Sequence, residues 1–312
     1  MTNSNLAAVL LCVSGMVIVG SSVSISQLIL DYPHLTGQAA RYALAAVVLF
    51  ALARRFPGLL TGGGPRPGRP TRRELVILTA LAATGMAGFN ACILIALPHA
   101  EPAMVGTVIG AAPLGLALLG PLSLRQRPAG RLVAAAAIVV AGTALVQGSG
   151  RADTIGVLAS LGAFGGEIAF TLLAAAVLPR LGPVRVAAYS CALSVPLLLL
   201  AALPAGEYAR LRLPTPTEAT TLGYLAAFMT VVAFLAWFTG LRHLGVERAA
   251  PLVGLMPIAT LLTAAIQAGR PPEIGASAGV LVVALGIAVG LSAHARPVPS
   301  PDPAHRMASG SV

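Results

Sequence analysis

Lysine is absent from this sequence, and only ten of its 312 residues are acidic. A Gly-Lys-Ser/Thr phosphate loop therefore cannot be present, which excludes an ATP-driven pump of the Walker type. Ten carboxylates, most of them in polar breaks, supply neither the clustered Asp, Glu, His or Cys that a polytopic membrane enzyme needs nor the carboxylate rings of an ion channel. Charged residues make up 10% of the chain, too few to cover a soluble surface. Cysteine is scarce as well. Cys12, Cys92 and Cys191 are odd in number and fall in apolar stretches, the pattern of packing thiols rather than of a disulfide framework, and no redox compartment follows from them. The sequence carries no motif for a cofactor or a metal.

Apolar residues are abundant, at 57% of the chain. They gather into runs of about 20 residues, the length that crosses a bilayer as a helix. Ten such runs can be drawn, at 6–30, 37–53, 75–97, 102–122, 129–147, 154–178, 184–203, 219–241, 248–268 and 275–293. Each is expected to be a helix, because a backbone in lipid must satisfy its own hydrogen bonds and the alternation of barrel strands is missing. The first run has no Lys or Arg before it and no small-x-small cleavage site after it, so it reads as a retained helix rather than a signal peptide.

A second pattern is a repeat. Glu74, His99, Gly110, Pro113, Pro128 and Gly142 recur 144 residues later as Glu218, His243, Gly254, Pro257, Pro272 and Gly286. These residue types are informative because several of them are rare in so biased a composition. The repeat divides the chain into 6–147 and 154–293, five spans each, followed by a disordered cytoplasmic tail at 294–312. Five is odd, so the second copy enters the membrane from the other face. The expected fold class is thus an all-α integral membrane protein of ten transmembrane helices in two inverted five-helix repeats, an architecture that recurs in secondary transporters.

The formal charge of +10 rests entirely on arginine, and its placement argues for lipid headgroups as partners rather than nucleic acid. Fifteen arginines lie in the even-numbered breaks and the tail, four (Arg151, Arg210, Arg212, Arg270) in the odd-numbered breaks, and Arg41 near the start of span two. The positive-inside rule then predicts a multi-pass protein of the cell membrane with both termini cytoplasmic. The segment Pro57 to Pro70 reads as a flexible loop.

Taken in order, Gly20-Ser21 late in span one, Pro33, Arg41-Tyr42 opening span two, the mid-helix Pro113 and Pro257, and Gly142 and Gly286 late in spans five and ten resemble the EamA-type, ten-helix branch of the drug/metabolite transporter superfamily. The resemblance implies export of a small metabolite or drug-like solute. Members commonly carry a Glu just after spans four and nine. This chain has Gln126-Arg127-Pro128 and Gly269-Arg270-Pro271 there, so no role that needs those carboxylates carries over.

The candidate site residues each carry two readings. Glu167 in span six is the one carboxylate deep in an apolar run: either a proton-coupling or substrate-amine site, or a protonated carboxyl bonded to a neighbouring helix, with intramembrane ionisable groups favouring the first. Pro113 and Pro257 should free the carbonyls of Ile109 and Val253, lining a translocation path or only shaping helices. Asn90 and Gln27 read as interhelical hydrogen-bond formers or contacts for a polar solute. Arg41 would snorkel to the outer headgroups or pair with an anionic substrate group. Trp237 would anchor at the interface rather than stack on a ligand. His99 and His243 fall on opposite faces and cannot share a site. The pairs Gly106/Gly110, Ala250/Gly254, Gly162/Gly166 and Gly286/Gly290 permit close helix approach. Together these features predict a secondary transporter that exports a small solute by alternating access, with Glu167 as the group through which protons would couple; a membrane enzyme or a channel is the competing class. Ten spans can enclose a path within one chain, so a monomer suffices and a homodimer stays open.

Overall fold

The computed structural model describes residues 3–55, 69–96, 98–123, 126–147, 151–269, 271 and 273–292. The expected loop at Pro57 to Pro70 falls mostly outside these residues, and the tail at 294–312 wholly so. Among the described residues the chain is helical, with a single isolated bridge between Ala100 and Ala152 in place of any strand. Among the described residues, nine helical runs are long and apolar enough to cross a membrane, and Gly130–Val146 is a shorter apolar helix where the fifth span was expected.

The first repeat comprises α1 (Asn3–Ile25), α2 (His34–Arg55), α3 (Arg72–Leu81) with α4 (Phe89–Ala96), α5 (Pro102–Ile109) with α6 (Ala112–Ser123), and α7 (Gly130–Gln147). The second comprises α8 (Thr154–Leu181), α9 (Pro183–Ala202), α10 (Pro216–Tyr224) with α11 (Ala233–Leu244), the short α12 (Val246–Ala249) with α13 (Leu255–Ala268), and α14 (Ile274–Leu291). The third span of each repeat starts and bends alike. Thr71 and Glu74 cap one another's backbone N–H at the start of α3, and Thr215 and Glu218 do the same for α10. This capping box satisfies two donors that would otherwise lack partners at a helix start. A π-helical segment then interrupts each span, Ala82–Gly88 in the first and Leu225–Val232 in the second.

The repeats interlock instead of lying side by side. α7 runs along α14 and α2 along α9, while α1 packs on α11 and α13 and α8 packs on α3 through α6. Glycine makes the α7/α14 seam possible. A Cβ on Gly142 would fall 2.6 Å from the Val283 backbone nitrogen, and one on Gly286 would fall 2.8 Å from that of Val139. Gly279 likewise abuts Val146, and Gly290 approaches Ala135. As the residue number rises on α7 it falls on α14, so the two are antiparallel, and the pairs 142/283 and 286/139 are each other's images under the 144-residue offset. The approximate two-fold axis therefore passes through this seam. Without a hydrophobic drive between helices in lipid, such backbone proximity is what binds them.

Among the described residues, successive spans thus alternate between two faces: a terminal face, where α1 starts and α14 ends, and an opposite face. Contacts along each face agree with this. Arg180 pairs with Glu74, and Arg131 donates to Ser292, on the terminal face. His99 meets Asp153, and Tyr32 meets Arg212, on the opposite one.

Candidate functional site

Helix α8 has one face for lipid and one for protein. Leu158, Leu161, Gly165 and Ala176 are exposed, whereas Ser160, Ala163, Thr171 and Ala174 on the other side are buried. Glu167 belongs to the buried stripe. It lies between the residues that meet span three, Gly166 against Thr84 and Phe89 and Phe170 beside Gly85, and those that meet span four, Phe164 and Ile168 against Gly115. The side chain is half-buried, on the side of α8 that meets spans three and four. Among the described residues its carboxyl has no hydrogen-bond or ion-pair partner. One turn on, the Thr171 hydroxyl is buried and also unpartnered.

The register of α8 against span three fixes depth. Gly156 abuts His99, Gly162 abuts Cys92, Gly166 abuts Phe89 and Gly85 abuts Phe170. Glu167 is therefore level with Gly88, and Asn90 lies about 3 Å nearer the opposite face by helical rise. Asn90 is buried; its amide donates to Met86 O at 2.7 Å within its own helix, and its side chain adjoins His34 of α2.

On α2, His34, Gln38 and Arg41 follow at intervals of four and three residues and so share one face. Arg41 is 6% exposed, well within the protein, which overturns the expectation that it snorkels to headgroups. Its Nη1 faces Met229 Sδ at 3.1 Å, and its guanidinium stands 4.5 Å from the Tyr42 ring centroid. Among the described residues no carboxylate is within ion-pair reach of it. Arg41 Nε, Gln38 Oε1 and His34 Nε2 are all enclosed without a partner. At the head of this column sits Glu207, 1% exposed, which accepts from Leu35 N at 2.8 Å, Thr36 N at 2.9 Å and Thr36 Oγ1 at 3.1 Å. Its charge is thus spent on the N-terminus of α2, where the helix dipole favours an anion.

The two π segments adjoin the two interior ionisable groups, Glu167 and Arg41. The first packs on α8 at the turns around Glu167, and the second presents Met229 to Arg41. Widened turns of this kind are frequent at functional positions.

Several other candidates are placed elsewhere. Gln27 is exposed, in a 3₁₀ turn (Ser26–Ile29) that follows the end of α1. Trp237 is 3% exposed and packs its backbone on Gly15, so it is a seam residue of α1 and α11 and not an interfacial anchor. Pro113 and Pro257 follow breaks at Gly110 and Gly254, and those glycines abut Thr143 and Val139 of α7. His243 bonds to Thr239 O, and His99 to Asp153, which separates the two histidines as expected. The Asp153 carboxyl is held below its ordinary value by the Gly156 N–H first and His99 second.

Sequence reasoning missed His34, Gln38, Glu207 and Met229. The spacing of His34, Gln38 and Arg41 was a readable signal, concealed by starting span two at 37.

A bundle of two interlocked apolar helical repeats with unpaired ionisable groups in its interior defines a polytopic membrane protein. The EamA-like transporter family matches residues 6–148 and again residues 154–291, so the chain belongs to that family and is a transporter. The uncharacterized transporter YetK of Bacillus subtilis is 23% identical over 288 residues, covering 88% of this chain and 84% of YetK. YdeK of the same organism, also an uncharacterized transporter, is 29% identical over 263 residues, 81% of this chain and 85% of YdeK. A probable terminal-alkyne amino-acid exporter of Streptantibioticus cattleyicolor is 25% identical over 247 residues, 78% of this chain and 82% of that protein. A solved crystal structure shares the fold at a TM-score of 0.72 and 18% identity, covering 90% of this chain and 95% of its own.

Proposed function

We propose that the chain is a secondary transporter that exports a small, amino-acid-like or drug-like solute by alternating access, coupled to protons through Glu167. The observation that carries this reading is a half-buried, unpartnered carboxyl on the protein face of α8, midway along that helix. The amino-acid exporter among its relatives supports the direction. The excess of arginine on the terminal face supports cytoplasmic termini. One proton moving down 100 mV supplies about 2.3 kcal/mol, a solute gradient of roughly fifty-fold.

The contacts suggest how access alternates. Because α1 joins α11 and α13 while α8 joins α3 through α6, the moving bodies are these exchanged groups rather than the two sequence repeats. On the terminal face Arg180 ties α8 to Glu74 of α3, across the repeats. The equivalent Glu218 pairs with Arg212 of its own repeat at 2.6 Å. This asymmetry supports a resting state closed at the terminal face.

The test is a comparison of extracellular metabolites between cells lacking and overproducing the protein. Export predicts solutes that accumulate outside only with the protein. Glu167→Gln should abolish the pH dependence of that accumulation with the protein still made and inserted; full, pH-dependent export by this variant would remove the coupling role.

A further inference from the structure

The α2 column carries a second inference, which rests on the transport reading and specifies the solute. We propose that Arg41, with Gln38 and His34, forms a subsite for the carboxylate of the transported compound.

A guanidinium cannot shed its proton at any accessible pH, so Arg41 is a full positive charge inside the protein. Such a charge is strongly unfavourable unless paired and hydrogen-bonded. A thioether and a tyrosine face are weak substitutes for a counter-ion. The nearby carboxylate of Glu207 is already bound by three donors at the start of α2. The counter-charge therefore has to come from outside the described protein. With Nη1 turned to Met229, the Nε and Nη2 edge is left, and that edge of the fork takes a carboxylate through two parallel hydrogen bonds. The enclosed Nε has no acceptor to compete for it. Gln38, one turn away on the same face, can donate its amide NH2 to the carboxylate, while its enclosed Oε1 awaits a donor such as the solute's ammonium, and the enclosed Nε2 of His34 can donate when it carries the ring proton.

One guanidinium flanked by two groups that are neutral or weakly basic balances a single negative charge. A carboxylate fits this better than a phosphate dianion, which would call for a second cation. Asn90 adjoins His34, and Glu167 lies within a helical turn of Asn90's depth, which adds a carboxyl to the polar groups at this level. A zwitterion with a free carboxylate matches that distribution.

The test extends the metabolite comparison to Arg41→Gln, Arg41→Lys and Gln38→Leu, each first checked for a monodisperse profile in detergent. Solutes that accumulate with the native protein should carry a free carboxylate. Gln38→Leu, which leaves the charge in place, should lower export at limiting solute by about ten-fold, the loss of one hydrogen bond to a charged group. Arg41→Gln should abolish export, and Arg41→Lys should restore only part, because an ammonium cannot grip both oxygens. The methyl ester of the first exported acid should fail to compete with it. Exported solutes without a carboxylate, phosphate esters included, or full export by both Arg41→Gln and Gln38→Leu would overturn the subsite while leaving the transport reading intact. If the native protein changes no extracellular solute, the transport reading falls and the subsite with it.

Discussion

The third spans of the two repeats begin with the same device and are tied down differently. Thr71 N donates to Glu74 at 2.8 Å and Glu74 N to Thr71 Oγ1 at 3.3 Å; Thr215 and Glu218 repeat both distances. What differs is the cation. Glu74 receives Arg180 from the other repeat, whereas Glu218 receives Arg212 from six residues away, with Tyr32 of the first repeat touching only the Arg212 carbonyl and guanidinium. A duplication that conserves a backbone cap but changes which helix supplies the charge leaves two chemically similar ends with unequal hold across the repeats. Unequal ties would bias alternating access towards closure at the terminal face, whereas equal ends would favour neither face.

The comparison can be broken at several points. The largest effect is expected at the seam that makes the repeats images of one another: Gly142→Ala and Gly286→Ala should each destabilise the protein by about 1–3 kcal/mol, through overpacking against Val283 and Val139. Gly165→Ala, with nothing within 4 Å of the added carbon, should leave thermal unfolding in detergent unchanged. Unequal losses at 142 and 286 would argue against the two-fold relation. Next, Thr71→Ala and Thr215→Ala remove equivalent caps and should lower stability by similar amounts, about 1 kcal/mol each. Glu74→Gln and Glu218→Gln should cost less stability, under about 1 kcal/mol for partly exposed pairs. They should nonetheless differ in function: only the first should raise labelling of interior cysteines from the terminal face. The smallest effect concerns Asp153. Its folded carboxyl lies below the ordinary value of 3.8, so its contribution is complete above that pH and disappears as pH falls through the lowered value. Asp153→Asn should therefore flatten stability against pH only at the acid end of a titration followed by thermal unfolding.

Apolar runs and a rare-residue offset made the helices, the duplication and the isolation of Glu167 legible in the sequence, because each depends on local composition. The pairing of α7 with α14 was not legible: Gly142 and Gly286 announce close approach without saying to what. The π segments left no signature in Ala82–Gly88 or Leu225–Val232, which read as ordinary apolar helix. Glu207 could not be assigned to the start of α2, since it reaches Thr36 from 171 residues away. Trp237 and Arg41 were misread for one reason. Depth along a span was taken to decide their surroundings, whereas the face of the helix decides whether a side chain meets lipid, protein or an internal space.

The most direct test of the account is access to position 167 from each side of the membrane. In a chain with Cys12, Cys92 and Cys191 replaced by alanine, Glu167→Cys is labelled with a membrane-impermeant maleimide, with and without an added disulfide between Glu74→Cys and Arg180→Cys. The account predicts labelling from the opposite face alone when the terminal face is locked, and from either face when it is not. Labelling from both faces in the locked protein would contradict it, as would no labelling from either face in the unlocked one.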